Sequence, residues 1–267
     1  MISCKFVQYQ EETCKIMLTT QRKKAILDLL SRDGQVLAGP LAVTFGVSED
    51  TIRRDLRELA AEGLLQRVHG GALPASSAVA PFEQRRALES SGKRAIGIAA
   101  AAMIEPGSIV IIDGGTTSAE LVAHIPRSLS ATVVTHSPTV AVALVDHPSI
   151  DVIMIGGKLY KHSIVNVGAA AIEAMSHIHA DVYFMGVTGV HPTAGLSTGD
   201  LEEAYVKRAL AARSAETVVL ASMEKLNAAS AYSIGDVTLA QTIVVEKLAD
   251  TAFTDALQAA GVGIVRA

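Results

Sequence analysis

From about Lys93 onward, short apolar runs alternate with segments of helical periodicity, and this alternation limits the possible folds of the 267-residue chain more than any other feature. The apolar runs have the length and composition of β-strands: SIVIID, ATVVTHS, DVIMIGG, DVYFMGV, ETVVLAS and TIVVE. Helical segments separate them, beginning near Thr117 and Pro138 and covering about 201–213. The alternation predicts a mostly parallel sheet with helices on both faces, a Rossmann-like α/β domain over residues 93–267.

Small or polar residues follow five of these runs. They are the stretches 113–117, 136–137, 156–158 and 186–189, and Ser222 with Lys225. In open α/β sheets ligands bind outside the carboxyl ends of the strands, so we expect the five ends to border one crevice. Glycine lets the backbone approach a ligand, and the N–H groups that begin a helix, together with threonine hydroxyls, suit a phosphate dianion. A tight turn needs glycine even without a ligand, but the same character at several ends favours a phosphate site.

Residues 18–73 have the pattern of a separate module. Helical spacing predicts helices over 21–32 and about 39–45, and a third from the N-cap Ser48 to Glu62. The stretch LLQRVHGGA that follows alternates like a short β-ribbon. This order of elements is that of a winged helix-turn-helix domain, with the helix-turn-helix at about 35–54.

The third helix of such a module enters the major groove of DNA, where paired arginine donors recognise guanine, while basic residues of the wing contact phosphates. The charge balance of residues 19–71, with 8 Lys/Arg against 7 Asp/Glu, is weak support. The alternative is an amphipathic helix with a solvated charged face. The DNA-binding residues we predict are Ser48, Thr51, Arg53, Arg54, Arg57, Arg67 and His69.

The stretch FGVSEDTIRRDLRELAAEGLLQRVHGGA resembles, nearly position for position, the DNA-binding domain of the DeoR/GlpR family of bacterial transcriptional regulators. The motif PFE at 81–83 also resembles one that precedes the effector domain of that family, and the resemblance extends over about 18–247. It implies an α/β effector domain similar in fold to ribose-5-phosphate isomerase and glucosamine-6-phosphate deaminase. It further implies a repressor of a carbohydrate catabolic operon that senses a phosphorylated sugar or sugar alcohol.

The strand ends and the resemblance together give a set of candidate effector-binding residues. They are Asp113, Gly115, Thr116, Thr117, His136, Ser137, Gly156, Lys158, Thr188, Glu203, Lys207 and Lys225. Glu203 and Lys207 stand four apart on a predicted helix, so an exposed ion pair is the alternative for them. The chain also departs from the family pattern: His136 replaces a usual Asn, Gly114 a usual Ser, and Ser222 a usual Asp.

An isomerase or deaminase-like enzyme fused to a DNA-binding domain is the alternative function. In the isomerase, the loop resembling MGVTGV carries two aspartates, and Met185 and Thr188 hold those places here. Aldose–ketose isomerisation needs a carboxylate base, so we expect no enzymatic activity, although Asp113 and Glu203 are retained. We assign no catalytic residue, no cofactor and no metal. Both cysteines lie in the first 17 residues, so neither disulfides nor thiolate-bound zinc can hold the rest of the chain together.

We expect residues 1–17 to be a disordered extension or a misassigned start, because Met17 is a second candidate start, and residues 74–92 to be a linker. We expect no membrane partner, since no run of about 18 apolar residues occurs. The predicted location is therefore cytoplasmic, and at the nucleoid when the protein binds DNA. The expected partners are a double-stranded operator, the effector, and further copies of the chain in a dimer or tetramer, since symmetric operators demand symmetric proteins.

Overall fold

The computed structural model of the protein describes residues 18–76, 78, 82 and 91–267. The predicted extension 1–17, with both cysteines, lies outside the described residues, and so does most of the predicted linker. Within the described ranges, a small helical domain with a three-stranded sheet precedes a larger α/β domain.

The elements of the N-terminal domain are α1 (Thr19–Asp33), β1 (Val36–Leu37), α2 (Ala38–Phe45), α3 (Glu49–Ala61), β2 (Leu65–Val68) and β3 (Gly71–Pro74). Helix α1 ends at Gly34, whose φ of 70° is the left-handed conformation that glycine adopts readily. Helix α3 begins after Ser48, whose hydroxyl accepts a hydrogen bond from the N–H of Thr51 at 3.2 Å. Helix α2 follows Leu37 and has no side-chain cap. The three predicted helices and the ribbon are therefore confirmed.

The helices of this domain pack around a core formed by Ile26, Leu30, Ile52, Leu56 and Leu59. The sheet order is β1-β3-β2, and all its pairs are antiparallel. A side chain at position 71 would place its Cβ 1.9 Å from the carbonyl oxygen of Val36, so a glycine is required where β1 approaches the wing. The pairing of β1 with β3 thus attaches the wing to the rest of the domain.

A buried ion pair joins α1 to α3 in the same domain. The guanidinium of Arg22 donates from Nε to Oδ2 of Asp55 at 2.5 Å and from Nη2 to Oδ1 at 3.1 Å. Both residues are buried. Asp55 belongs to the TIRRDL stretch, so one acid of that motif faces the core and leaves the neighbouring arginines to face outward.

The elements of the α/β domain are α4 (Ser91–Ala101), β4 (Ile109–Ile112), α5 (Thr116–Ala123), β5 (Ala131–Thr135), α6 (Pro138–Ala143), β6 (Ile150–Met154), β7 (Lys158–Tyr160), β8 (Val165–Val167), α7 (Ala169–Met175), β9 (Ala180–Gly186), β10 (Gly189–His191), β11 (Gly195–Thr198), α8 (Leu201–Ala211), β12 (Ser214–Ala221), β13 (Tyr232–Gly235), β14 (Thr242–Val245), α9 (Thr251–Ala259) and β15 (Gly263–Arg266).

The main sheet has seven strands in the order β15-β14-β12-β9-β4-β5-β6, and every neighbouring pair is parallel. Helices α4, α5 and α6 cover one face, where Ile96, Leu121 and Phe184 are buried. Helices α7, α8 and α9 cover the other, where Tyr183 and Leu210 are buried. The predicted fold class, a winged helix-turn-helix domain joined to a parallel-sheet α/β domain, is confirmed.

Two small antiparallel units add to the predicted alternation. Strands β10, β11 and β13 form one sheet, and β7 and β8 form a hairpin. Their strands have only three or four residues each, too few for a clear alternation of apolar and polar positions. They follow the carboxyl ends of β6, β9 and β12, and so lie next to the predicted crevice.

Candidate functional site

A cleft opens at the carboxyl ends of β4, β9 and β12. Its walls are the turn between β4 and α5, the turn between β9 and β10, the inner face of α8, and the turn after β12. Seven of the residues predicted to bind the effector line it: Gly115, Thr116, Thr117, Thr188, Glu203, Lys207 and Lys225. Three of the five predicted strand ends therefore meet at one site.

The turn into α5 presents backbone N–H groups to the cleft. Gly115 has φ 119° and ψ 169°, a conformation that side chains disfavour, and α5 begins directly after it. The first N–H groups of any helix lack partners within the helix and lie at the positive end of its dipole. The preceding residue, Gly114, is confined as well, because an added Cβ would lie 2.3 Å from Cγ1 of Val165. The usual Ser of the family would not fit at position 114 without movement of that valine.

A buried lysine lies beside the same helix start. The ammonium of Lys225 donates to the hydroxyl of Thr117 at 3.2 Å and to the carbonyl of Leu220 at 3.3 Å. Lys225 is 6% exposed although it follows a turn on the surface of the domain. Its charge, the threonine hydroxyls and the α5 dipole together make this end of the cleft a strong site for an anion.

The floor of the cleft is a buried network centred on Asp113, at the end of β4. Its Oδ2 accepts hydrogen bonds from the hydroxyl of Tyr183 at 3.1 Å, from the N–H of Gly186 at 2.9 Å, and from the ammonium of Lys207. Its Oδ1 accepts from Nε2 of His136 at 2.7 Å. Asp113 is completely buried, and thus holds Lys207 in position from beneath the cleft.

Glu203 and Lys207 form a second pair in this network. Nζ of Lys207 lies 3.2 Å from Oε1 of Glu203, and the hydroxyl of Thr198 donates to Oε2 at 2.8 Å. Glu203 and Lys207 are 6% and 2% exposed, respectively. The alternative of an exposed surface pair is therefore wrong for these residues.

The network keeps Asp113 and Lys207 charged. Burial alone raises the pKa of Asp113, but the charge of Lys207 and the hydrogen bond from His136 outweigh it and hold that pKa well below its usual range. Burial alone lowers the pKa of Lys207, but the charges of Asp113 and Glu203 outweigh it and raise that pKa. An ion-paired, hydrogen-bonded set of this kind tolerates burial.

The remaining predicted effector residues lie elsewhere. His136 and Ser137 are buried next to Asp113, below the cleft rather than on its surface. Gly156 is exposed just beyond the end of β6, and Lys158 is exposed on β7. These two strand ends support or flank the site but do not line it.

The predicted DNA-contacting residues lie on α3 and on the wing of the N-terminal domain. Arg53, Arg54 and Arg57 are exposed on α3, and Arg53 pairs with Glu49 at 2.6 Å, an i,i+4 pair that DNA phosphates would compete for. Ser48 and Thr51 stand at the start of the helix. The wing residues Arg67 and His69 are also exposed, and they border a cavity whose opposite wall belongs to the α/β domain.

A short connection joins the wing to the cleft. Ser76 lies two residues beyond β3, and its hydroxyl donates to the carbonyl of Thr188, a residue of the cleft wall. Just before it, Ala75 forms a parallel bridge with Ala229, whose N–H donates to the carbonyl of Pro74 at 3.5 Å. The end of the wing strand is thus attached directly to the α/β domain.

Comparison with known proteins decides the family. The DeoR C terminal sensor domain matches residues 88–247, and the DeoR-like helix-turn-helix domain matches residues 22–78. The chain belongs to the DeoR family. It is 31% identical to the HTH-type transcriptional regulator GlpR of Haloferax volcanii, over 93% of this chain and 98% of that protein. It is 32% identical to the glycerol-3-phosphate regulon repressor of Escherichia coli K12, over 85% and 90%.

A third relative is the HTH-type transcriptional repressor GlcR of Bacillus subtilis, 30% identical over 93% of this chain and 96% of that protein. Among solved structures, the ribose 5-phosphate isomerase A of Methanocaldococcus jannaschii aligns with 50% of this chain and 53% of its own. That alignment has 16% identity and a TM-score of 0.38, too low to carry an argument. The similarity to the isomerase fold stays a prediction.

As a member of the DeoR family, the protein is a DNA-binding transcriptional regulator and not an enzyme. Of the two positions predicted to replace the isomerase acids, Met185 is completely buried in the core and Thr188 lines the cleft. In the part of the chain that the structure describes, no three His, Cys, Asp or Glu side chains are grouped to hold a metal ion. The same residues include no helix long and apolar enough to cross a membrane.

Three residues of this DeoR-type sensor domain were not anticipated from the sequence: Tyr183, Thr198 and Ser163. Ser163 lines the cleft, and the hydroxyls of the other two hold the acids of its floor. Tyr183 did carry a signal, because a tyrosine within a strand-like apolar run needs a buried partner for its hydroxyl.

Proposed function

We propose that the protein is a repressor of a carbohydrate catabolic operon, and that a phosphorylated sugar or sugar alcohol in the cleft controls its binding to DNA. The names of the relatives support the first part, since the E. coli protein is a repressor of a glycerol-3-phosphate regulon. The cleft supports the second. The observation that carries it is the buried Lys225, hydrogen-bonded to Thr117 at the start of α5.

The two ends of the cleft differ in chemistry, and this suggests the orientation of the ligand. The phosphate would lie on the N–H groups of α5, with Thr116, Thr117 and Lys225 around it. The carboxylate of Glu203 is suited to accept hydrogen bonds from sugar hydroxyls. The hydroxyl of Thr188 is suited to accept such bonds or to donate them. Lys207 would contact the ligand between these ends, while Asp113 positions it from below. Ser137, Gly156 and Lys158 stay predictions as effector-binding residues, whereas His136 is buried below the cleft.

On the DNA side, we propose that α3 enters the major groove with Thr51, Arg53 and Arg54 over the base edges, and that Arg57 contacts phosphates. A homo-oligomer, a dimer or a tetramer, would present two such helices to a symmetric operator. We retain the proposed division into a DNA-binding domain at 18–73, a linker at 74–92 and a sensor domain at 93–267.

The contact between Ser76 and Thr188 offers the route from ligand to DNA. A ligand that moves the turn between β9 and β10 also moves the carbonyl to which the end of the wing is attached. It shifts the equilibrium between DNA-bound and free arrangements only by its difference in affinity for the two.

A thermal melting screen tests the ligand class. Sugar phosphates and sugar-alcohol phosphates are compared with their unphosphorylated counterparts, and we expect only phosphorylated compounds to raise the melting temperature. Lys225→Met should abolish the shift, whereas Lys247→Met, which removes an exposed lysine with no predicted effector role, should retain it. An equal shift with unphosphorylated sugars would contradict the proposal.

The DNA-binding surface is tested independently. A duplex is selected from a random-sequence library by the wild-type protein, and its affinity is then measured for the double variant Arg53→Ala with Arg54→Ala. We expect binding to fall by more than about 100-fold, because each guanine contact contributes about 1 to 3 kcal/mol. The thermal shift caused by the ligand should be unchanged. Retention of full DNA affinity would refute the assignment of the recognition helix.

A further inference from the structure

The ring of His136 lies between two oxygen atoms that only accept hydrogen bonds. Nδ1 is 2.8 Å from the backbone carbonyl of Asn166, and Nε2 is 2.7 Å from the carboxylate oxygen Oδ1 of Asp113. A neutral imidazole has one donor and one acceptor nitrogen, whereas an imidazolium has two donors. With a neutral ring, one nitrogen lone pair would face an oxygen at hydrogen-bonding distance. Both contacts are satisfied only when both nitrogens carry protons.

The buried charged residues connected to His136 do not balance one another when its ring is neutral. The charged groups connected to it are Asp113, which it contacts, and Lys207 and Glu203 on α8. All four residues are buried, and Tyr183 adds a neutral hydroxyl. Two carboxylates and one ammonium sum to one negative charge, which a buried site can hold only at a large cost. A protonated His136 brings the sum to zero.

We propose that His136 is an imidazolium in the ligand-free protein and that it makes the floor of the effector cleft electrically neutral. This rests on the proposed function, in which a phosphorylated ligand binds above that floor. A neutral floor adds no negative charge beneath Lys225 and the α5 helix start, both of which attract a phosphate dianion. An uncharged residue at position 136 would leave one negative charge beneath the ligand and weaken that attraction. His136 is thus a positioning residue that acts through Asp113, without contact to the ligand.

The protonation state can be read without any ligand. Full-length protein labelled with ¹⁵N-histidine is examined at pH 8 by long-range ¹H–¹⁵N correlation, where an ordinary histidine with a pKa of about 6.5 is almost entirely neutral. The signal of His136 is identified by its loss in His136→Asn or in His136→Gln. We expect two protonated ring nitrogens for it. One protonated and one unprotonated nitrogen would overturn the proposal.

A second measurement tests the consequence for binding. The affinity of the wild-type protein for inorganic phosphate at pH 8 is measured by calorimetry at constant ionic strength and compared with His136→Asn and His136→Gln. We expect binding at least about ten-fold weaker in whichever variant folds, because an uncompensated negative charge then lies beneath a phosphate dianion. His177→Asn, an exchange at an exposed histidine, should leave the affinity unchanged.

The possible results separate the two proposals. Unchanged phosphate affinity in a folded His136 variant would overturn the role of His136. If the wild-type protein bound neither inorganic phosphate nor any phosphorylated sugar, the proposed ligand class would fail. The ¹⁵N spectrum would still decide the protonation of His136 on its own.

Discussion

The substitution Asp55→Ala should open the DNA-binding domain locally, because it leaves the guanidinium of Arg22 buried without its carboxylate. Removal of one partner from a buried ion pair typically costs about 3 to 5 kcal/mol. Arg22 lies in the first turn of α1 and its long side chain can turn toward water, so we take the lower end, about 3 kcal/mol. That value corresponds to roughly 150-fold faster amide exchange in α1 and α3 if exchange occurs through local opening.

Hydrogen exchange of the full-length protein, followed by mass spectrometry, measures this directly. The matched control is Glu58→Ala, which removes a pair between the same two helices: Lys23 lies 2.8 Å from Glu58, whose side chain is 48% exposed. An exposed pair contributes little, so exchange should rise by less than about five-fold. The double variant Arg22→Met with Asp55→Leu should recover most of the protection, since apolar pairs often replace buried ion pairs without loss.

The result that would refute this reasoning is a separation of stability from DNA binding. If Asp55→Ala abolished binding to the selected duplex while exchange in α1 and α3 stayed at the wild-type rate, Asp55 would act at the DNA and not in the core.

Three further predictions concern the sensor domain and its connection to the wing. Ser76→Ala should keep ligand-free DNA affinity within about two-fold, because an exchange away from the DNA surface changes no contact there. It should nevertheless reduce the change in that affinity on adding the sugar phosphate found in the melting screen, and an undiminished response would show that the connection runs elsewhere. Because the pKa of Asp113 is lowered in the folded protein, its contribution to stability is present above the unfolded value of 3.8 and is lost as the pH falls through the lower folded value. Acid melting curves of Asp113→Asn should lack this dependence, and an unchanged acid profile would contradict it. Gly114→Ala should cost about 1 to 3 kcal/mol through its clash with Val165, and Val165→Ala in the same chain should recover part of the lost melting temperature.

The elements of the fold were predictable where the pattern is local. Ser48 and Gly34 mark helix ends because their side-chain and backbone chemistry acts on their immediate neighbours. The parallel sheet followed from short apolar runs separated by helices, since the central strands of such a sheet are buried on both faces. The short strands β10, β11 and β13 were not predictable, because three or four residues are too few for a clear pattern and β13 pairs with a strand far from it in the chain.

The candidate site was predictable in part, for a similar reason. The turn at Gly115 and the lysine at 225 are visible as residue types at strand ends. Their contact, however, joins Lys225 to Thr117 over 108 positions, and only the strand order brings them together. Asp55 did carry a signal, because it stands at the spacing of the apolar positions Ile52 and Leu59, where a charged residue implies a buried partner.

The acceptor of the hydroxyl of Ser76 is a main-chain atom. Any residue at position 188 presents the same carbonyl, so the attachment of the wing places no demand on the side chain that lines the cleft. Substitutions in the cleft wall can therefore adapt the protein to a different metabolite without changing the hydrogen bond that attaches the wing. Because a backbone atom holds the wing and side chains select the ligand, one regulator fold can evolve to respond to new effectors.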